Sequence, residues 1–198
     1  MTPIQAWKDI SAKQEMICTW LNKKDEIRYV GQDTDITFST KGRTWLNCDG
    51  HINFPDGEVF TCPVEDSAQG TIRFTYPLIY MGNEIEDVRL TFKDGEVVSA
   101  SAAKGQKLLD DVIALDEGSN KVGEIAIGTN YGAKEFIKEM LFDEKMGGTM
   151  HLALGLSPDP SIGKNESSIH LDILKDMRDG GKVYADGELF YENGSFLI

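Results

Sequence analysis

Short runs of alternating apolar and polar residues, separated by tight-turn signals, make up most of the sequence after residue 27. Asp-Gly at 94–95, Asp-Gly at 186–187 and Asn-Gly at 193–194 are typical of turns between neighbouring antiparallel strands. The pattern therefore predicts an α+β fold rather than a series of βαβ units. We expect a mainly antiparallel, barrel-like sheet with a few packed helices, forming a single domain over residues 1–198.

Three segments have the hydrophobic spacing of helices, namely residues 3–23, 103–115 and 133–142. A β-hairpin is also predicted, with strands at 34–39 and 43–46 on either side of a Thr-Lys-Gly turn. The sequence thus predicts one helix at the N-terminus, two helices between residues 103 and 142, and strands through most of the remainder.

Charge and cysteine content restrict the possible partners. The chain of 198 residues has a formal net charge of −13. This charge argues against a nucleic-acid partner, because binding a phosphate backbone requires a basic surface. Its cysteines, Cys18, Cys48 and Cys62, are an odd and scattered set, which argues against a disulfide framework and fits a reducing cytoplasm. No apolar run approaches the length of a membrane span, and the first 24 residues lack the apolar core of a signal peptide. We therefore predict a cytoplasmic chain without a nucleic-acid or membrane partner.

Three short strands are predicted at 123–127, 150–154 and 168–173. Each places small or ionisable residues on the face opposite its large aliphatic side chains. In the last of them His170 and Asp172 are two residues apart, so both side chains project from one face. The other two strands present Glu124 and His151 in the same way. Imidazole beside carboxylate suits a divalent cation such as zinc, cobalt or manganese. If the three faces converge, they form a metal pocket, and the loop predicted at 157–167 lies beside it.

Glu58 is a fourth candidate, because a turn containing proline and glycine delivers it at the start of an apolar strand. Each candidate also has an ordinary structural interpretation. His151 alone fits a hydrogen-bonded core histidine, and Glu124 alone fits a salt-bridge partner. His170 with Asp172 fits a surface cross-strand pair, and Glu58 alone fits an exposed side chain. From spacing alone, a metal site is one hypothesis beside these.

Five blocks of sequence share the pattern and the order of a known family. They are Gly-Glu-Val-Phe-Thr at 57–61, Glu-Gly-Ser at 117–119 with Gly-Glu-Ile-Ala at 123–126, Leu-Phe-Asp-Glu-Lys at 141–145, Gly-Thr-Met-His-Leu-Ala-Leu-Gly at 148–155 and Ser-Ile-His-Leu-Asp at 168–172. The chain resembles the catalytic domain of the thermophilic-type metalloaminopeptidases, peptidase family M29, which includes aminopeptidases T and S. The resemblance covers essentially the whole chain.

This resemblance implies a β-rich α+β domain that holds two divalent metal ions, zinc, cobalt or manganese. By motif, the five ligands of the family correspond to Glu58, Glu124, His151, His170 and Asp172. The implied activity is that of an aminopeptidase, a hydrolase that cleaves the first peptide bond of a substrate with a free N-terminus through metal-activated water. A homodimer is also implied. Glu124 is the first choice for the carboxylate that bridges both metals and Glu58 the second, and one of this pair is the candidate catalytic proton shuttle.

Two departures from the family pattern leave alternatives open. Pro158 stands where family members usually carry a tyrosine thought to stabilise the tetrahedral intermediate, and Tyr131, Lys164 or a metal ion are candidates to replace it. The α/β domain that normally precedes this region in the family is not in the sequence, so we expect the catalytic domain only. The alternatives are a catalytically impaired relative that binds metal or peptide without turnover, and a non-enzymatic interaction module with an acidic face.

Overall fold

Antiparallel strands dominate the structure, a computed structural model that describes residues 2–198. Its helices are α1 (Pro3–Leu21), α2 (Gln106–Ile113) and α3 (Met140–Asp143). Its strands are β1 (Glu26–Gly31), β2 (Thr34–Ser39), β3 (Leu46–Cys48), β4 (Glu58–Thr61), β5 (Gln69–Arg73), β6 (Leu78–Tyr80), β7 (Asn83–Ile85), β8 (Arg89–Lys93), β9 (Glu96–Ser101), β10 (Val122–Gly128), β11 (Thr149–Gly155), β12 (His170–Asp176), β13 (Lys182–Ala185), β14 (Glu188–Glu192) and β15 (Ser195–Phe196). Within residues 2–198, none of the helices has the length and apolar character that a membrane crossing needs.

The strands form two large sheets and one small one. The first has eight strands in the order β15-β14-β13-β1-β2-β5-β8-β9, and the second has five in the order β12-β11-β10-β4-β3. Strands β6 and β7 pair separately. Every pairing among these named strands is antiparallel. The predicted α+β class, mainly antiparallel with a few helices, is therefore confirmed.

One buried apolar cluster contains side chains from both large sheets. Tyr29 and Phe38 come from the eight-stranded sheet and pack edge to face, with ring centroids 5.6 Å apart. Leu152 and Ile173 come from the five-stranded sheet and are fully buried in the same cluster. Since neighbouring residues of a strand alternate between faces, the opposite face of the five-stranded sheet is left for His151 and Asp172.

Helix α1 forms where the N-terminal pattern predicts it. The Thr2 hydroxyl accepts a hydrogen bond from the Gln5 amide at 3.3 Å, and Pro3 occupies the first turn, where its missing N–H costs nothing. Farther along the helix, the buried side chain of Gln14 donates to the carbonyls of Glu58 and Cys48 at 2.7 and 2.9 Å. The helix thereby fixes the adjacent ends of β3 and β4.

The predicted hairpin at 34–46 is wrong. Strand β2 pairs with β1 and β5 in the eight-stranded sheet, whereas the next strand, β3, pairs with β4 in the five-stranded sheet. Between them, the Arg43 guanidinium donates to the Ile162 carbonyl and to Glu65, both at 2.7 Å. These contacts with distant segments hold the chain in a crossing between the two sheets, which turn propensity alone does not reveal.

The predicted helix at 133–142 is also wrong, because only its last residues belong to a helix. The carboxylate of Asp143 accepts hydrogen bonds from the backbone amides of Ile137 and Glu139, at 2.8 and 2.9 Å. Both amides therefore have a hydrogen-bond acceptor without forming a helix, and the short helix α3 begins only at Met140. Phe136 stacks on Tyr76 with ring centroids 4.9 Å apart, so tertiary contacts hold the segment in an irregular path.

Lys175 on β12 gives the fold a testable pH dependence. Its side chain is buried, and its ammonium donates to the carbonyls of Arg73 and Gln32 at 2.9 and 3.2 Å. Burial lowers the pKa of Lys175 from 10.5 to about 8. Between these values the unfolded chain binds a proton that the folded chain lacks, so this group makes stability rise as pH increases. We expect wild type to gain on the order of 2 kcal/mol of unfolding free energy relative to Lys175→Met between pH 7 and pH 10.

The measurement is urea unfolding of both proteins at several pH values across that range. All other titrating groups are common to the two chains, so the difference between the curves isolates Lys175. Parallel pH profiles would show that the ammonium is as well solvated in the folded chain as in the unfolded chain.

Candidate metal centre

Four strands of the five-stranded sheet bring the predicted ligands to one face. In the strand register Ala153 lies opposite both Glu124 and Asp172, and Ala126 lies opposite His151. The two alanines keep the centre of this face open, because their side chains end at Cβ. A register shift next to Glu124 also displaces its side chain relative to the regular ladder.

The start of β4 is shaped to deliver Glu58 to this face. Gly57 has φ of +132°, a conformation that side chains with a Cβ rarely adopt, and an added Cβ would come within 2.7 Å of the Asn130 side chain. The buried carboxylate of Asp56 accepts a hydrogen bond from the Gly57 amide at 2.9 Å. Glu58 is consequently 5% exposed, so the expectation of a merely exposed side chain is wrong.

Imidazole nitrogens and carboxylate oxygens of the five predicted ligands lie close together. His151 Nε2 is 3.2 Å from Glu58 Oε2, 3.4 Å from Glu124 Oε1 and 3.9 Å from Asp172 Oδ1. His170 Nε2 is 3.6 Å from Glu124 Oε2 and 3.3 Å from Asp172 Oδ2. The structure thus brings all five together. These separations contradict the interaction-module hypothesis, which required side chains too far apart to share a cation.

Four overlapping groups of possible ligand atoms occur here among the described residues, and the two that contain only predicted ligands share Glu124. Of these two, one contains Glu58, Glu124 and His151, and the other contains Glu124, His170 and Asp172. The remaining two groups are Cys48, Asp56 and Glu58, and Glu144, His151 and Asp172. Within each group the possible ligand atoms lie within 4.8 Å of one another. The two oxygens of Glu124 face different imidazoles. A carboxylate in this position can contact two cations at once.

Several buried polar atoms of the cluster have no hydrogen-bond partner within the described chain. They are Glu58 Oε2, Asp172 Oδ1 and His151 Nδ1. Leaving such atoms unpaired in the interior is costly, and cations that contact the two carboxylate oxygens would remove most of that cost. His170 is already oriented, because its Nδ1 lies 2.7 Å from the Leu156 carbonyl, and a hydrogen bond there directs Nε2 toward the cluster. The residues present therefore fit a divalent cation site.

The electrostatics of the cluster also favour added positive charge. Burial raises the pKa of Glu124, and the charges of Glu58 and Asp172 raise it further. Burial alone would lower the pKa of His170, but its contact with Asp172 and the charge of Glu124 outweigh that and raise it to about 9. Similarly, neighbouring carboxylates raise the pKa of His151 well above its usual value. The carboxylates that raise the pKa of these two imidazoles would attract a cation in the same way.

Lys145 is a charged residue of the cluster that sequence reasoning missed. Its Nζ lies 2.6 Å from Glu58 Oε1, 2.6 Å from Glu144 Oε1 and 3.6 Å from Asp56 Oδ1, and its side chain is 3% exposed. Burial alone would lower the pKa of Lys145, but Glu58 and Glu144 outweigh it and raise the pKa. Burial raises the pKa of Glu144 to about 7. The available signal was the block at 141–145, in which three charged residues follow one another directly after two apolar ones.

A cavity of about 540 Å³ opens onto the cluster. Leu46, Ile52, Phe60 and Leu141 give it apolar walls, and Pro158 lies at its edge. Neither residue suggested as a replacement for the family tyrosine lines this cavity. The Tyr131 hydroxyl instead donates to the Gly194 carbonyl at 2.9 Å, and Lys164 is exposed. The predicted loop at 157–167 does lie beside the cluster.

The chain belongs to the thermophilic metalloprotease (M29) family, whose pattern it matches over residues 1–196. It is 32% identical to aminopeptidase AmpS of Bacillus subtilis, over 99% of this chain and 55% of that protein. It is 29% identical to aminopeptidase T of Thermus aquaticus, over 87% of this chain and 48% of that protein. The chain therefore spans about half the length of the curated relatives it matches.

Two solved structures share the fold. Wild-type AmpT from Thermus thermophilus superposes with a TM-score of 0.86 at 24% identity, covering 100% of this chain and 56% of that one. A 2,5-dihydroxypyridine dioxygenase from Pseudomonas putida KT2440 has a TM-score of 0.74 at 19% identity, covering 95% of this chain and 59% of that one. At these identities the likeness concerns the fold, so function must be argued from the site.

Proposed function

We propose that this chain carries the two-metal centre of an aminopeptidase that hydrolyses the N-terminal peptide bond of peptides. The observation that carries the proposal is the convergence of five ligand-type side chains in one cavity, with Glu124 shared by two groups. Relatives named as aminopeptidases support the reaction and the substrate class. The cytoplasmic location and the homodimer predicted from the sequence are part of the same proposal.

Each group of ligands would hold one divalent cation, zinc, cobalt or manganese. The first cation would be held by Glu58, Glu124 and His151, and the second by Glu124, His170 and Asp172. Nitrogen and oxygen donors of this kind suit these borderline metals. When bound, a pair of such cations polarises a carbonyl oxygen and lowers the pKa of a water molecule, which is the chemistry that peptide hydrolysis needs.

The side chains of the cavity determine which part of a peptide enters. Carboxylates of Asp56, Glu144 and Asp159 line it together with the ligand carboxylates, so its potential is negative. A protonated α-amino group is attracted to such a site, whereas a blocked N-terminus is not. One carboxylate of the pair Glu124 and Glu58 is our candidate for the group that accepts the proton that hydrolysis releases and returns it to the leaving amine.

The test is an assay of the purified chain with aminoacyl-anilide substrates in the presence of cobalt, zinc or manganese. We expect release of the aniline, complete loss of release with a chelator, and recovery when metal is added back. The same substrates with an acetylated α-amino group are the control and should not be cleaved. Release that persists in excess chelator, or equal cleavage of acetylated substrates, would contradict the proposal.

Pro158 favours a second candidate, a catalytically impaired relative that binds metal or peptide without turnover. It occupies the cavity edge where the family usually has a tyrosine, and no tyrosine among residues 2–198 lines this cavity. A phenol that donates to an oxyanion contributes roughly 3 kcal/mol to transition-state stabilisation. Stoichiometric metal binding with no chelator-sensitive release would favour this candidate over the active enzyme.

A further inference from the structure

Lys145 is a buried cation placed among carboxylates from two separate segments. Its Nζ contacts Glu58 Oε1 and Glu144 Oε1, both at 2.6 Å, and it is the one lysine or arginine lining the cavity within residues 2–198. Its backbone is also fixed, because the Lys145 carbonyl accepts a hydrogen bond from the Asn130 amide at 2.9 Å. The Asn130 side chain in turn donates to the Asp56 carbonyl at 3.0 Å. Lys145 is therefore held rigidly relative to the turn that precedes Glu58.

The contact with Lys145 makes the two oxygens of Glu58 inequivalent. Oε1 accepts a hydrogen bond from Lys145, whereas Oε2 accepts none and lies 3.2 Å from His151 Nε2. Oε2 is therefore the oxygen of Glu58 that can bind a cation without sharing it with the Lys145 ammonium. Glu124 differs, because no lysine or arginine contacts it in the described chain and its oxygens face His151 and His170 separately.

Charge balance supports the same assignment. The carboxylates that line the cavity are those of Asp56, Glu58, Glu124, Glu144, Asp159 and Asp172. Lys145 offsets only one of these negative charges, so two divalent cations would offset most of the remainder. A buried ammonium without such partners would be strongly unfavourable, so Lys145 and the carboxylates depend on each other.

We propose that Lys145 is a positioning residue, which restricts Glu58 to binding one cation through one oxygen and leaves Glu124 as the carboxylate that joins the two cations. The inference rests on the proposed function, since it assumes that the cluster holds two cations. Lys145 itself donates to Glu58 and, as an ammonium without a free lone pair, would not be a ligand of a cation. Orientation of a ligand by a neighbouring donor is a known determinant of metal affinity, typically 10-fold to 100-fold.

The first test is calorimetric titration of Mn²⁺ into the metal-free chain and into Lys145→Met. We expect one of the two dissociation constants to rise at least 10-fold in the variant, while the other changes by less than about 3-fold. Lys175→Met is the matched control, because Lys175 is equally buried but donates to backbone carbonyls outside the cluster. Its two dissociation constants should equal those of wild type.

Removing the ammonium also makes the cluster more negative, which by itself would strengthen cation binding. The direction in which the dissociation constants change therefore separates a positioning role from a role through charge alone. Tighter binding of both cations by Lys145→Met would show that the lysine acts only through its charge and would overturn the proposal. Unchanged dissociation constants would overturn it as well. If wild type binds no divalent cation, the proposed function itself is contradicted.

A crystal structure of the wild-type chain grown with Mn²⁺ is the second test and does not depend on the folding of any variant. We expect one oxygen of Glu58 on one cation and the other within hydrogen-bond distance of Lys145 Nζ. Two bound cations with Glu58 contacting both, or with Lys145 directed away from Glu58, would overturn the positioning role and leave the proposed function standing.

Discussion

Replacing Glu124 by glutamine is expected to lower kcat for release of the N-terminal residue at least about 1000-fold. Glutamine has nearly the same shape, but its side chain is neutral and offers one oxygen and one N–H₂ group. It cannot place an anionic oxygen toward both His151 and His170, as Glu124 does at 3.4 and 3.6 Å. One cation would then be bound weakly or lost, and the two groups of ligands would no longer act together.

Stability should behave oppositely to activity in this variant. In the metal-free chain, burial and the charges of Glu58 and Asp172 disfavour the Glu124 anion, so Glu124→Gln is expected to keep or slightly raise the melting temperature. Glu135→Gln changes an exposed glutamate outside the cluster and serves as the control for both measurements. Near-normal kcat in Glu124→Gln at saturating metal would contradict the role assigned to Glu124. A large loss of melting temperature would mean that the variant disrupts packing.

Addition of zinc or manganese to the metal-free chain is expected to raise its melting temperature by roughly 5–10 °C at about 100 times the dissociation constant. The cation binds a cluster that exists only in the folded chain, and binding at that concentration stabilises the folded state by about 2.7 kcal/mol. Cations that contact Glu58 Oε2 and Asp172 Oδ1, which accept no hydrogen bond, would lower the dissociation constants and so reduce the metal concentration needed for this effect. Calorimetric melting at increasing metal concentration is the measurement.

His151→Leu is the variant that tests whether this stabilisation arises at the proposed centre. His151 is fully buried among the carboxylates of Glu58, Glu124 and Asp172, and leucine fills much of the same space without a donor for a metal. We expect the metal-induced rise in melting temperature to fall to less than about a third. An equal rise in wild type and in His151→Leu would place the bound metal elsewhere on this acidic chain.

The fold class followed from local patterns, and the exceptions have long-range causes. Asp-Gly at 94–95 predicted the hairpin of β8 and β9 correctly, because a tight turn restricts its own neighbours. The Thr-Lys-Gly turn at 40–42 was interpreted in the same way but joins two different sheets, held by contacts of Arg43 with Glu65 and Ile162. Likewise, the helix expected at 133–142 is prevented by Asp143, which takes up the backbone amides before α3.

The ligand-type residues were recognisable because side chains two apart on a strand share a face. This placed His170 with Asp172 and predicted the faces that carry Glu124 and His151. The turn with proline and glycine before β4 indicated Glu58, and the family resemblance supported all five. The structure brings these side chains to one cavity, while their role in binding metal remains a prediction. Replacement of the missing tyrosine by Tyr131 or Lys164 was not supported, because neither lines the cavity.

By itself, then, the sequence determined the antiparallel strands and the faces on which the imidazoles and carboxylates lie, because strand periodicity and tight turns are local properties. Only the tertiary structure decided that one oxygen of Glu124 faces His151 and the other faces His170. It also decided that Lys145 donates a hydrogen bond to one oxygen of Glu58. Glu58 and Lys145 are 87 residues apart, and their contact depends on the packing of β4 against the segment after α3. Long-range packing of this kind has no periodic signal in the chain, so it could be found only from the folded structure.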